Sequence, residues 1–377
     1  MSSPRRTPVR RRGPFDTSSL LGSLPSPGAS PRARSEPSVA PPAPSSTYLA
    51  TVSEPAKTLS PADAAEKLSP LVVVLSLNET LLFRPQRTTK GSVHPIVRPY
   101  LATFLSYLCA TAAPACTETK GDDKKPSGRP IQLVVYSAAR AHNVLTLLRA
   151  IGLVPESATT DADGACRPRK GTSAGAGAGK GAGGDVLELV CSRETMGLRD
   201  KDYRRDVVTV KDLDKEWDAM GVSHDEGARR TVLLEEEEPA AAAQPHSRLP
   251  ITAFTVSDPS SALYRRSVRE LPTSSSDGSD SALLSTIHLL DLLRLESNAP
   301  AALKGGLVRG AENAARRVVR EREGKGERDP VSEGEVRNEM ARRGRDVCKR
   351  EGVEVRREWD DKWKEKAQGA AKGDVKA

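Results

Sequence analysis

Aromatic side chains are scarce in this chain: phenylalanine, tyrosine and tryptophan together make up 3% of its 377 residues. The chain also carries 28 Pro and 29 Gly, so long stretches lack the apolar side chains that a packed core requires. This composition excludes a core spread evenly along the sequence. We expect one globular domain with disordered ends.

Cysteines and long apolar runs are equally few. The five cysteines are scattered, and none forms a Cys-x-x-Cys or Cys/His spacing, which disfavours a disulfide framework and a zinc site. No apolar run approaches the roughly 20 residues that a membrane span needs, and no secretory signal is recognisable. We therefore expect a soluble intracellular protein with reduced thiols and no transmembrane segment.

The formal net charge of +8 belongs to the two ends of the chain. Residues 1–50 and 304–377 each carry a net charge of +5, which leaves −2 for residues 51–303. We therefore expect no nucleic-acid binding through the folded domain. The Arg- and Ser-rich start is typical of a disordered tail, a nuclear-import patch or a mitochondrial presequence. Nucleus or cytoplasm is the expected location, with the mitochondrion as the alternative.

Changes in composition along the sequence predict the domain boundaries. Residues 1–65 are rich in Ser, Pro and Arg and predict a disordered tail. Residues 304–377 alternate in charge without a sustained apolar stripe and predict a charged, partly helical tail. The domain is then expected at 66–303. Three polar stretches rich in Gly, Pro or Ser predict loop insertions within it: 110–129, 159–184 and 257–281.

Apolar strands and amphipathic helices alternate within this domain. The apolar residues of 101–108 and 144–151 recur at helical spacing. This alternation predicts a doubly wound α/β fold with a parallel sheet, and a ligand crevice outside the carboxyl ends of its first and fourth strands. Short apolar runs predict five strands, at 71–76, 131–136, 186–191, 231–234 and around 251–254.

The loop after the first strand carries a recognisable motif. Its sequence Ser76-Leu77-Asn78-Glu79-Thr80-Leu81 resembles the Asp-Leu-Asp-Glu-Thr-Leu loop of the FCP-homology (NLI-interacting-factor-like) domains of the haloacid dehalogenase superfamily. These domains occur in C-terminal-domain phosphatases, and some segments of the chain look like a fungal branch of them. Both acidic positions have lost their carboxylates here.

Further segments resemble the same family in the same order. In that family the lysine of Lys-Asp-Leu neutralises phosphate, and the acidic pair after the fourth strand binds metal. The matching segments of this chain are Arg98-Pro99-Tyr100 with Phe104-Leu105, Ser137, Ser192-Arg193-Glu194, Val210-Lys211-Asp212-Leu213, Thr231–Glu236, Gln244-Pro245, Pro250-Ile251 and Leu293–Asn298.

The resemblance implies a role for each matching position. Ser76 and Asn78 stand at the degenerate positions of the nucleophile and of the general acid/base. Neither supports that chemistry, because a serine without a base is a poor nucleophile and an asparagine exchanges no proton. Three further residues would contact phosphate and two would contact metal: Thr80, Ser137 and Lys211, and Glu235 and Glu236.

These positions predict an impaired enzyme. We expect a pseudophosphatase that binds a protein or phosphopeptide, with no cofactor or weakly bound Mg²⁺. A weak Mg²⁺-dependent protein Ser/Thr phosphatase is one alternative. A protein-import component similar to the presequence receptor of the mitochondrial inner-membrane translocase is another, since the family includes that degenerate member.

Overall fold

The fold is taken from a computed structural model. Residues 1–39 of the N-terminal tail expected at 1–65, residues 358–377 of the C-terminal tail expected at 304–377, and the greater part of the three expected insertions lie outside the residues that the structure describes. The described residues are 40–84, 95–112, 131–155, 157–161, 165–166, 187–255, 280–326 and 329–357.

A parallel sheet of five strands, in the order β5-β4-β1-β6-β7, forms the centre of the domain. Every residue of β1 and β6 is buried, as expected for parallel strands covered on both faces. The predicted α/β class with a parallel sheet is therefore confirmed. The strands are β1 (Leu71–Leu75), β4 (Ile131–Tyr136), β5 (Leu187–Cys191), β6 (Thr231–Glu235) and β7 (Arg248–Pro250), with a separate antiparallel pair β2 (Leu82–Phe83) and β3 (Ile96–Val97).

Helices cover both faces of the sheet. Alternate residues of β1 point to opposite faces, so Val73 belongs to one cluster of buried apolar residues and Val74 to a separate cluster on the other face. The helices in the described part of the chain are α1 (Ser46–Ser53), α2 (Pro61–Lys67), α3 (Leu101–Ala112), α4 (Ala141–Ala150), α5 (Asp200–Tyr203), α6 (Leu213–Met220), α7 (His224–Arg230), α8 (Ala282–Leu293), α9 (Ala299–Lys304), α10 (Leu307–Glu323) and α11 (Glu333–Arg350).

The last strand lies earlier than predicted. It was expected around 251–254, but β7 ends at Pro250, which has no N–H to extend the ladder. The following residues instead contact Arg98, which follows β3, and the loop after β1. The Thr252 carbonyl accepts from Arg98 at 2.8 Å, and the Phe254 N–H donates to the Glu79 carbonyl at 2.5 Å.

The packed domain begins before residue 66. Helix α1 starts at the Ser45 cap, and its Tyr48 and Val52 are 0% and 2% exposed. The Tyr48 hydroxyl accepts a hydrogen bond from the His246 N–H at 2.9 Å, which ties α1 to the turn before β7. The sequence did not predict this helix, because Tyr48 and Val52 alone are too few apolar residues to define a buried helical face.

The packed domain also extends past the boundary expected at residue 304. Helix α11 lies along α8 and buries Val336, Met340 and Val347. The sequence showed no sustained stripe because two residues of this buried face, Glu339 and Gly344, are not apolar. No helix within the described residues is long and apolar enough to cross a membrane.

Candidate functional site

The candidate site lies where the strand order reverses, at the carboxyl ends of β1 and β6. From β1 the chain moves outward through β4 to β5, and then returns to the other side of β1 as β6. Ser76 follows β1, and its N–H donates to the Leu234 carbonyl of β6 at 3.2 Å. In open α/β sheets this reversal leaves the crevice where ligands bind.

Lys211 joins the two strand ends. Its Nζ donates to the Ser76 Oγ at 2.9 Å and to a carboxylate oxygen of Glu235. Ser76, Lys211 and Glu235 are 6%, 2% and 1% exposed, so this ion pair is almost completely removed from water. The backbone N–H of Lys211 donates to the Ala240 carbonyl at 2.8 Å, and this hydrogen bond fixes the loop that carries the lysine. The positive charge of Lys211 is therefore already compensated within the protein.

The charge of Lys211 determines the ionisation of Glu235. Burial raises the pKa of Glu235, but the adjacent ammonium and its hydrogen bond outweigh burial and hold that pKa below its ordinary value. The second Glu235 oxygen accepts from the Glu237 N–H at 3.2 Å. The carboxylate is thus kept ionised, and each of its two oxygens has a hydrogen-bond donor.

Glu236 has the opposite electrostatic environment. Burial and the neighbouring Glu235 charge raise its pKa to about 7. Its carboxyl accepts a hydrogen bond from the hydroxyl of Thr80, which is fully buried in the loop after β1. Glu236 therefore changes its charge near neutral pH while it holds this loop.

This raised pKa makes stability depend on pH. Folded Glu236 keeps a proton that the unfolded chain releases near 4.5, so its contribution to the free energy of unfolding is lost as the pH rises through about 7. We expect Glu236→Gln to gain stability relative to the wild type between pH 5.5, which lies within the interval from 4.5 to about 7 over which this contribution is lost, and pH 8, which lies above it. Urea unfolding at both pH values measures this. The control is Glu238→Gln, which changes an exposed neighbour. If the stability difference between Glu236→Gln and the wild type were the same at both pH values, the raised pKa of Glu236 would be contradicted.

The loop after β1 is sharply turned. Glu79 has a φ of +60°, in the left-handed region. The Asn78 Oδ1 atom is buried and has no hydrogen-bond partner among the described residues. The position at which the sequence predicts a degenerate acid/base therefore has an amide oxygen that can accept a hydrogen bond but cannot transfer a proton.

A buried arginine anchors this loop. Arg98, which is 2% exposed, donates to the Thr80 carbonyl at 2.8 Å and forms a bidentate pair with Asp280 at 2.7 and 3.2 Å. The sequence marked Arg98 only as part of the Arg-Pro motif and missed this role. Nothing in the sequence indicated Asp280 as its partner, 182 residues away.

Ser137 lies at the end of β4, beside β1, as predicted. It is 1% exposed, and its Oγ accepts from the Ala139 N–H at 3.2 Å. The hydroxyl thus caps its own turn, and no hydrogen bond joins it to Ser76 or Lys211. The structure brings Ser76, Lys211 and Glu235 into direct contact, whereas Ser137 is only adjacent.

The charged side chains of the turn after β5 form hydrogen bonds with backbone groups of neighbouring segments. Arg193 donates to the carbonyls of Asp202 and Arg205 at 3.0 and 2.8 Å. Glu194 accepts from the Ala141 N–H at 3.0 Å and so caps α4. These residues of the Ser192-Arg193-Glu194 motif therefore have structural contacts.

Glu216 is an acidic residue near the crevice that the sequence analysis missed. It is 1% exposed, and burial raises its pKa well above the ordinary range against opposing contributions from Cys191 and Lys211. Its spacing from Leu213 and Trp217 on the buried face of α6 was the available signal. Glu235 is the carboxylate that forms the ion pair with Lys211.

The oxygen donors of the crevice fit Mg²⁺ poorly. This ion prefers anionic oxygens at about 2.1 Å, but Glu235 is held by Lys211 and Glu236 by Thr80. In the described part of the chain no group of three or more His, Cys, Asp or Glu side chains is arranged to hold a metal. The predicted metal role of Glu235 and Glu236 would require breaking both contacts.

Comparisons with known proteins add no relative. No protein-family model matches this sequence, and no curated protein matches it. A family relationship therefore rests on the motif residues and on their positions in the fold.

Proposed function

We propose that this chain is a catalytically inactive relative of the haloacid dehalogenase phosphatases, with an FCP-homology-type domain that binds a protein partner. The proposal is supported by where the motif residues lie. The degenerate loop follows β1, Lys211 lies beside it, and the acidic pair follows β6 at the strand-order reversal. Fold alone does not specify function, so the contacts of these residues carry the argument.

The observation that carries the proposal is the double contact of Lys211. In the active enzymes an aspartate attacks phosphorus, and the lysine neutralises both groups. Here Ser76 accepts a hydrogen bond from Lys211 at 2.9 Å, so the serine has a cationic donor beside it rather than a base that takes its proton. A phosphate group would also have to displace Glu235 from Lys211.

Asn78 removes the second catalytic function. General acid–base catalysis contributes about 10²–10⁴-fold to a rate, and an amide cannot supply it. Ser76 and Asn78 together thus remove the covalent step and the proton transfer, whereas the loop geometry set by Arg98 and Thr80 remains.

Restoring the lost carboxylates tests this proposal. We expect Ser76→Asp/Asn78→Asp to gain Mg²⁺-dependent hydrolysis of p-nitrophenyl phosphate, by about 10²-fold or more over the wild type. A carboxylate at position 76 would compete with Glu235 for Lys211 and add an anionic oxygen for Mg²⁺, and a carboxylate at position 78 would restore the general acid/base. The matched control is Ser76→Asn/Asn78→Asp, which has the same size but no nucleophile. Equal turnover by the two variants, each shown by circular dichroism to be folded, would contradict the proposal.

A further inference from the structure

A second concave surface lies at the edge of the sheet, beside β7. It is a groove of about 730 Å³ between the turn that precedes β7 and the turn that joins α9 to α10. Arg248 and Pro250 contribute one wall, and Lys304, Gly306 and Arg309 contribute the other. We call this surface the basic groove. Its volume lies within the range of about 300–1,000 Å³ that is typical of ligand sites.

The charge of the basic groove is mostly positive. It is lined by Arg248, Lys304 and Arg309, against one carboxylate, that of Glu312. Lys304 and Arg309 are exposed, and neither makes an ion pair with a residue that the structure describes. Arg248 makes a long ion pair of 4.0 Å with Glu238, whose side chain is exposed. These cations differ from Lys211, whose charge is compensated inside the domain.

A neighbouring histidine responds to this positive charge. Burial and then the charge of Lys304 lower the pKa of His246, which precedes β7. An uncompensated positive field at this point attracts anions from solution.

The remaining lining residues favour a peptide over other anionic ligands. Pro245, Leu303 and Val308 offer apolar contacts for side chains, and none of the described residues that line the groove is an aromatic on which nucleic-acid bases could stack. Pro250 has no N–H, so this edge does not accept a further strand along its length. Recognition here would depend on charge and on small apolar contacts.

We propose that the basic groove binds an acidic, extended segment of a partner protein, with carboxylate or phosphoserine groups placed between Lys304, Arg309 and Arg248. This site is separate from the β1–β6 crevice and does not depend on the superfamily assignment, so the two proposals fail in different experiments.

Arg248 links the basic groove to the crevice. Its guanidinium donates to the backbone carbonyls of Glu235 and Glu236, at 3.3 and 3.0 Å. The proposed peptide site is thus joined through Arg248 to the carboxyl end of β6. Because Arg248 also holds this strand end, variants that test the site leave it unchanged and alter the two exposed cations.

Fluorescence anisotropy with the full-length chain tests the proposal. The probe is a labelled peptide of Glu and phosphoserine with interspersed Val and Leu; its neutral counterpart carries Gln and Ser. We expect Lys304→Glu/Arg309→Glu to weaken binding of the acidic peptide by about tenfold or more, since two attractive charges become repulsive. Binding should weaken with added salt, and the wild type should bind the neutral peptide more weakly than the acidic one.

The matched control is Arg317→Glu, a charge reversal at another exposed position of α10, which should leave affinity within about twofold of the wild type. Equal affinity of the wild type and Lys304→Glu/Arg309→Glu would overturn the proposal. Tighter binding of a single-stranded oligonucleotide of equal charge, lost in the same double variant, would also overturn it and assign the groove to nucleic acid. Thermal unfolding of each variant checks that the fold is retained.

Discussion

Replacing Lys211 by methionine should lower the free energy of unfolding by about 3–5 kcal/mol, because it leaves the Glu235 carboxylate buried without a cation. The side chains of Lys211 and Glu235 are 3% and 2% exposed, so water cannot take over the role of the lysine without opening the crevice. Urea unfolding at pH 7 measures the loss.

The pH dependence of this loss follows from the lowered pKa of Glu235. In the wild type the pair stabilises the fold above the ordinary carboxyl value of 4.5, and that contribution disappears as the pH falls through the lower folded pKa. The difference between Lys211→Met and the wild type should therefore shrink in acid.

The double variant Lys211→Met/Glu235→Gln separates this explanation from simple packing damage. It removes both charges and should recover much of the stability that Lys211→Met loses. If Glu235→Gln instead lowered the free energy of unfolding of Lys211→Met as much as it lowers that of the wild type, the two residues would not be coupled. That result would contradict a stabilising ion pair between them.

Replacing Gly344 by alanine should destabilise the domain by about 1–3 kcal/mol, although alanine favours a helix over glycine by about 1 kcal/mol. A Cβ atom at this position would lie 1.9 Å from the Leu284 carbonyl oxygen, so α11 would have to move away from α8. This steric overlap should outweigh the gain in helix propensity, because the overlapping atom belongs to the Leu284 backbone and cannot rotate away. Thermal or urea unfolding measures it, and limited proteolysis should then release α11.

Gly310→Ala is the matched control, since it makes the same change inside α10. A Cβ atom there meets nothing within 4 Å, so this variant should be stabilised by about 0.5–1 kcal/mol. If Gly344→Ala behaved like Gly310→Ala, α11 would not pack on α8, and the domain would end nearer residue 304.

The strands were predictable because their apolar runs are continuous. The strand expected at 131–136 is β4, and the one expected at 71–76 is β1 without its last residue. Helix α11 was not predictable in the same way. Its buried face includes Glu339, which is compensated by Arg342 and Arg343, and such pairing is set by the tertiary fold.

The candidate site was predictable in position but not in its contacts. Parallel strands bring residues that follow them to one edge, which is why Ser76 and Glu235 were expected in the same crevice. Sequence spacing cannot show that Lys211 and Glu235, expected to contact phosphate and metal, instead pair with each other. The side-chain geometry that decides this depends on the Lys211 loop and its hydrogen bond to Ala240.

Phosphate release by the purified wild-type chain decides whether the β1–β6 crevice is catalytic. The assay uses a phosphoserine peptide with and without Mg²⁺, and Ser76→Ala is measured beside the wild type. We predict no Mg²⁺-dependent turnover above that of Ser76→Ala, because Ser76 has no base and Lys211 is held by Glu235. Mg²⁺-dependent turnover by the wild type that is lost in Ser76→Ala would contradict this and identify an active phosphatase.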